Sequence, residues 1–274
     1  MKVSIITPTF NSGRTISGNI LSIKAQNYPD IEHIIVDGAS SDETMVLAKE
    51  LYEGESAVSF RSISEKDRGI SDAFNKGVKM SGGEVIGILN SDDCYMGTQV
   101  ISRVMEAFQD PEVAYVHGNI YFEDDQHGSG VRKPLLCSIQ EAMPLNHPTL
   151  FVRRGVYEQF GLFSLEYRYA MDFEFVCRFY TDSRSAMLKG FYLEGEPLVL
   201  MRAGGASHAN ELRTIDEVER ALRKHGKWDR HAWLYQWQRR LRIMIKHRLS
   251  PLGLDVIVRC WRRWKWSTGQ KSLP

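Results

Sequence analysis

Residues 85–95 read VIGILNSDDCY. An apolar run of strand length, Val85 to Asn90, ends in two adjacent carboxylates, Asp92 and Asp93. Near-continuous apolar strands of this kind belong to sheets covered on both faces. The carboxylates then stand at the strand's exposed carboxyl end. Hard divalent cations such as Mg2+ or Mn2+ take oxygen ligands, often only one or two carboxylates, and keep other positions for phosphate. Asp92 and Asp93 are therefore candidate metal ligands, suited to a cation that carries a diphosphate. The plainer alternative is that Asp92 caps a following helix and Asp93 is solvated.

Outward from this stretch, the same pattern recurs. Strands are expected at Val3 to Thr9, His33 to Asp37, Val58 to Ser64 and Val113 to Gly118. Between them, Thr15 to Gln26 carries Ile16, Ile20 and Ile23 at helical spacing, Asp42 to Leu51 follows the capping-type Ser40 and Ser41, and Ser71 to Met80 follows Gly69. Strand–helix alternation of this kind predicts an α/β fold with a mainly parallel sheet flanked by helices. Such sheets bind ligands beyond the carboxyl ends of their strands. Thr7 to Asn11, Asp37, Asp67 with Arg68, and Asp92 with Asp93 all fall at those ends. Past about residue 120 the alternation weakens; Glu123 to Gly130 reads as a turn, and Glu158 to Phe163 and Phe173 to Tyr180 as helical pieces. Three regions are expected: a nucleotide-binding half (1–120), an acceptor and catalytic half (121–215) and a helical tail (216–274).

Several further residues have a functional and an ordinary reading. Asp37 precedes Gly38, so its carboxylate either meets the edge of a nucleobase or serves a turn. Arg68 stands before a helix N-terminus, where it binds phosphate or ribose, or else pairs with Asp67 or Asp72. Asp172 opens the helical stretch MDFEFVCRF as a general base or an N-cap, while Glu174 and Arg178 are spaced to pair at i and i+4. His147 and His208 both sit beside loops, and His208, after Gly204-Gly205, is a candidate metal ligand.

At 274 residues and 43% hydrophobic, the chain buries a substantial core. Its four cysteines form no CxxC pair, so neither a zinc site nor a disulfide framework is indicated, and a reducing, cytosolic compartment is the simpler expectation. MKVSIITPTF enters a strand pattern directly, without a signal-peptide profile, and no run approaches ~18 apolar residues. The net charge of +1 conceals a division. Residues 220–274 hold 15 Lys/Arg against Asp229 and Asp255, leaving 20 Lys/Arg against 32 Asp/Glu in the preceding 219 residues. All six tryptophans fall in this basic tail.

Taken together, SIITPTFN (4–11), VDGASSD (36–42), SEKDRGISDAFNKG (64–77), LNSDD (89–93) and MDFEF (171–175) resemble the family-2 glycosyltransferases of the GT-A, Rossmann-like fold, especially those of bacterial surface-polysaccharide synthesis. The likeness covers about residues 1–210. It implies that Thr7, Pro8 and Asp37 cradle the base, Arg68 and Asp92 the nucleotide, and that Asp92 and Asp93 hold Mn2+ or Mg2+; His208 is a candidate further ligand by its position alone. Asp172 would be the base of an inverting transfer from a nucleotide sugar, UDP-linked by expectation, to a polysaccharide or lipid-linked acceptor. Asn90 stands where many relatives carry Asp, and Met171 where many carry Glu. A sugar nucleotidyltransferase and a non-catalytic scaffold are the competing functions; the first calls for a Gly-rich, basic signature after the first strand, where ITPTFNSGRT has one Gly and one Arg.

Within the tail, Trp233, Trp237, Leu241 and Ile245 recur every four residues, and CWRRWKW (260–266) follows. Residues 228–266 either dock on the cytoplasmic face of the membrane or pack against the body as a terminal helix. Nucleic acid ranks last as a partner, since no fold signature for it is present.

Overall fold

Residues Val3–Thr9 (β1) are buried at every position because they occupy the centre of a sheet. In the computed structural model of the chain, residues 1–249 are described apart from 55, 125–127, 136, 182–187 and 205–209. Strand β1 pairs in parallel with Ile31–Asp37 (β2) on one side and Val85–Ile88 (β4) on the other. Ser59–Ser64 (β3) continues the sheet beyond β2. The opposite side is completed by Val113–Gly118 (β6), Phe151–Arg153 (β9) and Lys189–Leu193 (β10), in the order β10-β6-β9-β4-β1-β2-β3. Only β9 runs against its neighbours, between β4 and β6. A smaller sheet, β5-β11-β7-β8, is built from Cys94–Tyr95, Val199–Arg202, Ile120–Glu123 and Gly130–Arg132.

The sheet is covered on both faces, as its apolar strands require. One face packs Ile16–Lys24 (α1), Thr44–Glu50 (α2) and Val100–Ala107 (α4); the other packs Ile70–Met80 (α3), Arg154–Phe160 (α5), Met171–Thr181 (α6) and Glu211–Lys224 (α7). A last helix, Arg230–Leu249 (α8), follows α7. The register of α3 on the sheet depends on Gly77, where an added Cβ would lie 2.3 Å from Cγ2 of Ile6 on β1.

Several expected boundaries move, each for a local reason. Helix α2 starts at Thr44 rather than Asp42, because the Ser40 and Ser41 side chains brace Asp37 and Asn11 instead of capping the helix. Residues of the expected second half supply β9 and β10 to the main sheet, and both halves contribute to one core. The boundary expected at 215–216 falls inside α7, whose Ile215, Val218, Ala221 and Leu222 are buried. Among the described residues, no helix is long and apolar enough to cross a membrane.

Candidate functional site at the carboxyl ends of the sheet

Strand order reverses between β1 and β4, and the loops beyond this point are tied together by hydrogen bonds. Asn11 N–H donates to Ser40 Oγ at 2.8 Å, Ser12 N–H to Thr44 Oγ1 at 2.7 Å, and the Ser12 and Ser91 hydroxyls meet at 2.8 Å. The loops after β1, β2 and β4 thus form one surface. The loop after β3 joins it where Asp67 approaches Gly38, close enough that a Cβ on Gly38 would stand 2.7 Å from Asp67 Oδ2.

Asp37 anchors this surface from beneath. Its fully buried carboxylate accepts hydrogen bonds from Thr9 Oγ1 (3.0 Å), Ser64 Oγ (2.6 Å), Ser40 N–H (3.0 Å) and Ser40 Oγ. Burial pushes its pKa up, but these donors outweigh burial and hold it below the ordinary carboxylate value. Thr7 and Pro8 are also buried, and the Thr7 hydroxyl is spent on His33 Nε2 (2.9 Å) and Asn19 (3.3 Å). These three residues build the floor rather than face solvent. Phe10, which the sequence did not single out, is 65% exposed at the mouth of the site beside Gly38. Its signal was available: a large aromatic in a polar loop directly after a buried strand.

The acidic pair lies just beyond β4. Asn19 clamps the turn by donating to the carbonyls of Asn90 (2.8 Å) and Asp93 (3.0 Å). Asp93 is 2% exposed, and burial followed by the field of Asp92 raises its pKa to about 8. Asn90 Nδ2 donates to it at only 3.4 Å, and Asn90 Oδ1 is itself buried without a partner. Arg202, at the end of β11, donates to the Asp92 carbonyl at 3.2 Å. No helix follows directly; the chain enters β5, so Asp92 is not an N-cap. Two adjacent carboxylates, one kept from water and only partly offset by Asn90 and Arg202, fit a hard cation that brings its remaining ligands from phosphate. Among the described residues no three His, Cys, Asp or Glu converge as a complete metal cage. His208 lies outside the described residues.

Arg68 pairs with Asp72 at 2.9 Å, the i,i+4 alternative, with its side chain 72% exposed. The rest of SDAFNKG holds the second half of the chain in place. Ser71 Oγ donates to the Tyr167 carbonyl (2.9 Å), and Asn75 exchanges two bonds with the Phe163 backbone at 2.8 and 2.9 Å. Phe74 stacks on His147, in the 3-10 turn His147–Thr149, at 5.9 Å.

This docking leads to Asp172, in the first turn of α6. The segment leading into α6 is held by Glu217 of α7, which accepts the N–H groups of Arg168, Tyr169 and Ala170 at 2.7–3.0 Å. Among the described residues Asp172 accepts only the adjacent Phe173 N–H (2.8 Å), and it remains partly exposed. Its charge reaches His147, whose pKa is lowered by burial against the opposing field of Asp172. Glu174 is buried behind it, paired with Arg178 (3.2 Å) and His225 (2.9 Å). The roles of Glu217 and His225 were invisible in the sequence, since both act from a helix some 45 residues further on. A cavity of about 630 Å³, lined among others by His117, Lys133, Tyr192 and Glu194, opens at the carboxyl ends of β6 and β10.

Residues 4–167 match the profile of glycosyl transferase family 2. A "PGL/p-HBAD biosynthesis glycosyltransferase" of Mycobacterium bovis is 29% identical over 182 residues, 65% of this chain and 70% of its own. S. aureus TarS 1–349 in complex with UDP-GlcNAc is similar in structure, with a TM-score of 0.63 and 18% identity over 85% of this chain and 69% of that one. The chain spans 41% of a longer S. aureus TarS chain. The mannosyltransferase PcManGT of Pyrobaculum calidifontis, in complex with GDP-Man and Mn2+, gives a TM-score of 0.66 at 16% identity over 97% of this chain and 80% of that one. These structural likenesses establish the GT-A fold, and with the match over residues 4–167 the chain belongs to glycosyl transferase family 2.

Proposed function

We propose that the protein transfers a sugar from a nucleotide-sugar donor, UDP-linked by preference, to a hydroxyl of a glycan or lipid-linked acceptor with inversion at the anomeric carbon. The observation that carries this reading is Asp93: a carboxylate buried beside Asp92, its pKa raised to about 8, at the crevice where strand order reverses. Two structural neighbours, in complex with UDP-GlcNAc and with GDP-Man and Mn2+, support a nucleotide sugar and a divalent cation here.

Asp92 and Asp93 would hold Mn2+ or Mg2+, which when bound neutralises charge on the leaving diphosphate. Phe10 offers its ring to the base above the floor made by Thr7, Pro8 and Asp37. Arg68 exchanges Asp72 for a phosphate or ribose oxygen, a change its exposure permits. The acceptor approaches from the side of the 630 Å³ cavity. Asp172 takes the proton of the acceptor hydroxyl; that oxygen forms a bond to the anomeric carbon as the carbon–phosphate oxygen bond breaks, and the nucleoside diphosphate leaves with the electron pair. Glu217 fixes the approach to α6, and with it the position of Asp172, by accepting the N–H groups of residues 168–170. A lipid-linked acceptor would place the enzyme at the cytoplasmic face of the membrane.

The test is donor turnover in two variants. Asp172→Asn is expected to bind UDP-sugar as the parent does, yet transfer at least ~100-fold more slowly, the usual worth of a general base. Undiminished transfer removes Asp172 from the reaction, and absence of nucleotide binding by the parent removes the donor site.

A further inference from the structure

Helix α8 meets the body along one side. Ala232, Gln236 and Ile243 are buried there. Gln236 Nε2 donates to the carbonyls of Gln140 (3.3 Å) and Glu141 (3.0 Å), and Arg240 reaches Asp216 and Glu219 of α7 at 2.6 and 3.1 Å. Asp229 caps the helix through the Ala232 N–H at 2.9 Å. The helix is therefore fixed in its rotation, and at about 100° per residue its opposite side is defined.

That side carries Trp233, Leu234, Trp237, Leu241, Met244 and Ile245, all 38–51% exposed. The every-fourth-residue stripe of the sequence faces away from the body, while α8 packs on it by its other side; residues 260–266 lie outside the described residues. The Trp233 and Trp237 rings stack at 6.4 Å and 16°, so the strip is continuous at its amino end. Isolated exposed apolar side chains need no explanation, but six in a row on one helix mark a contact surface.

The charges around the strip say what the contact is. Arg230 and Arg248 are about five helical turns apart, which puts both on the face of the strip at its two ends, and both are exposed. Arg242 is exposed on its flank. Residues 220–274 together hold 15 Lys/Arg and two acidic residues. A second copy of this chain would bring like charges together along the strip. Apolar side chains with indoles among them, bordered by cations, instead match the interface of an anionic bilayer, where the indoles enter the headgroup layer and the cations meet phosphate.

We propose that α8 docks the protein on an anionic lipid bilayer, lying in the plane of the headgroups with Trp233 and Trp237 inserted. The contact shares with the proposed function only the expectation of a lipid-linked acceptor, and it is tested without sugar transfer.

The full chain is sedimented with vesicles of phosphatidylglycerol and phosphatidylcholine, and with phosphatidylcholine alone. Binding is expected on the mixed vesicles and to weaken with added salt. W233E/W237E should lower that partitioning by on the order of 100-fold, about tenfold for each indole withdrawn from the interface. R230E/R248E should abolish the preference for anionic vesicles. Because these side chains lie outside the packing of α8, the variants should keep the circular dichroism and melting temperature of the parent. Equal sedimentation of parent and W233E/W237E overturns the proposal, as does equal binding to neutral vesicles. A parent dimer that W233E/W237E converts to a monomer would assign the strip to a second copy and overturn it as well.

Discussion

Asp93 shows most clearly how position turns an ordinary residue into a functional one. In the unfolded chain it ionises near the usual carboxylate value of about 4. In the folded, metal-free protein, burial and the Asp92 charge lift it to about 8. Between those limits the folded state holds a proton that the unfolded state has lost, so metal-free stability falls as pH rises from about 4 to about 8. Asp93→Asn should therefore stabilise the metal-free protein at pH 8, by on the order of 2 kcal/mol once partial relaxation is allowed for, and flatten that dependence. Denaturant unfolding from pH 5 to 8 checks this; a variant less stable than the parent at pH 8 contradicts it. Adjacent carboxylates after an apolar run were legible in the sequence because a strand delivers them by chain order alone. The Thr7 hydroxyl was not, since its partners His33 and Asn19 come from a neighbouring strand and a helix.

Among the elements, α3 joins the two halves of the chain. Its amino-terminal turns face the 163–167 segment through Ser71 and Asn75, and its last turns lie on β1 where Gly77 meets Ile6. The spacing of SDAFNKG thus records two docking contacts in addition to a ligand loop. Gly77→Ala would force Ile6 or the helix to move, because the added methyl would lie 2.3 Å from the Ile6 side chain. A loss of about 1–3 kcal/mol in thermal or urea unfolding is expected, the usual cost of overpacking a close core. Unchanged stability would mean that α3 is not seated as described. The first four strands and three helices were readable because each is long enough to show its period. Strand β9 was not: three residues carry no period, and only the partners β4 and β6 make Phe151–Arg153 a strand.

At the level of the whole molecule, the two proposed working surfaces lie one in the acidic body and one in the described part of the basic tail. The body places its carboxylates in a crevice at the carboxyl ends of one sheet. The side of α8 turned away from the body presents an apolar strip with cations at its limits. Charge division was visible from composition, whereas the direction of the Trp237 stripe was not, because helical spacing defines a face without saying what it meets. Everything in the catalytic account depends on Asp92 and Asp93 holding a cation that carries the donor diphosphate. Titration calorimetry of Mn2+ with UDP into the parent and into Asp93→Asn tests this directly. UDP should bind the parent more tightly with Mn2+ than without it, and this enhancement should disappear in Asp93→Asn; an enhancement of equal size in both proteins would contradict a cation held by Asp93.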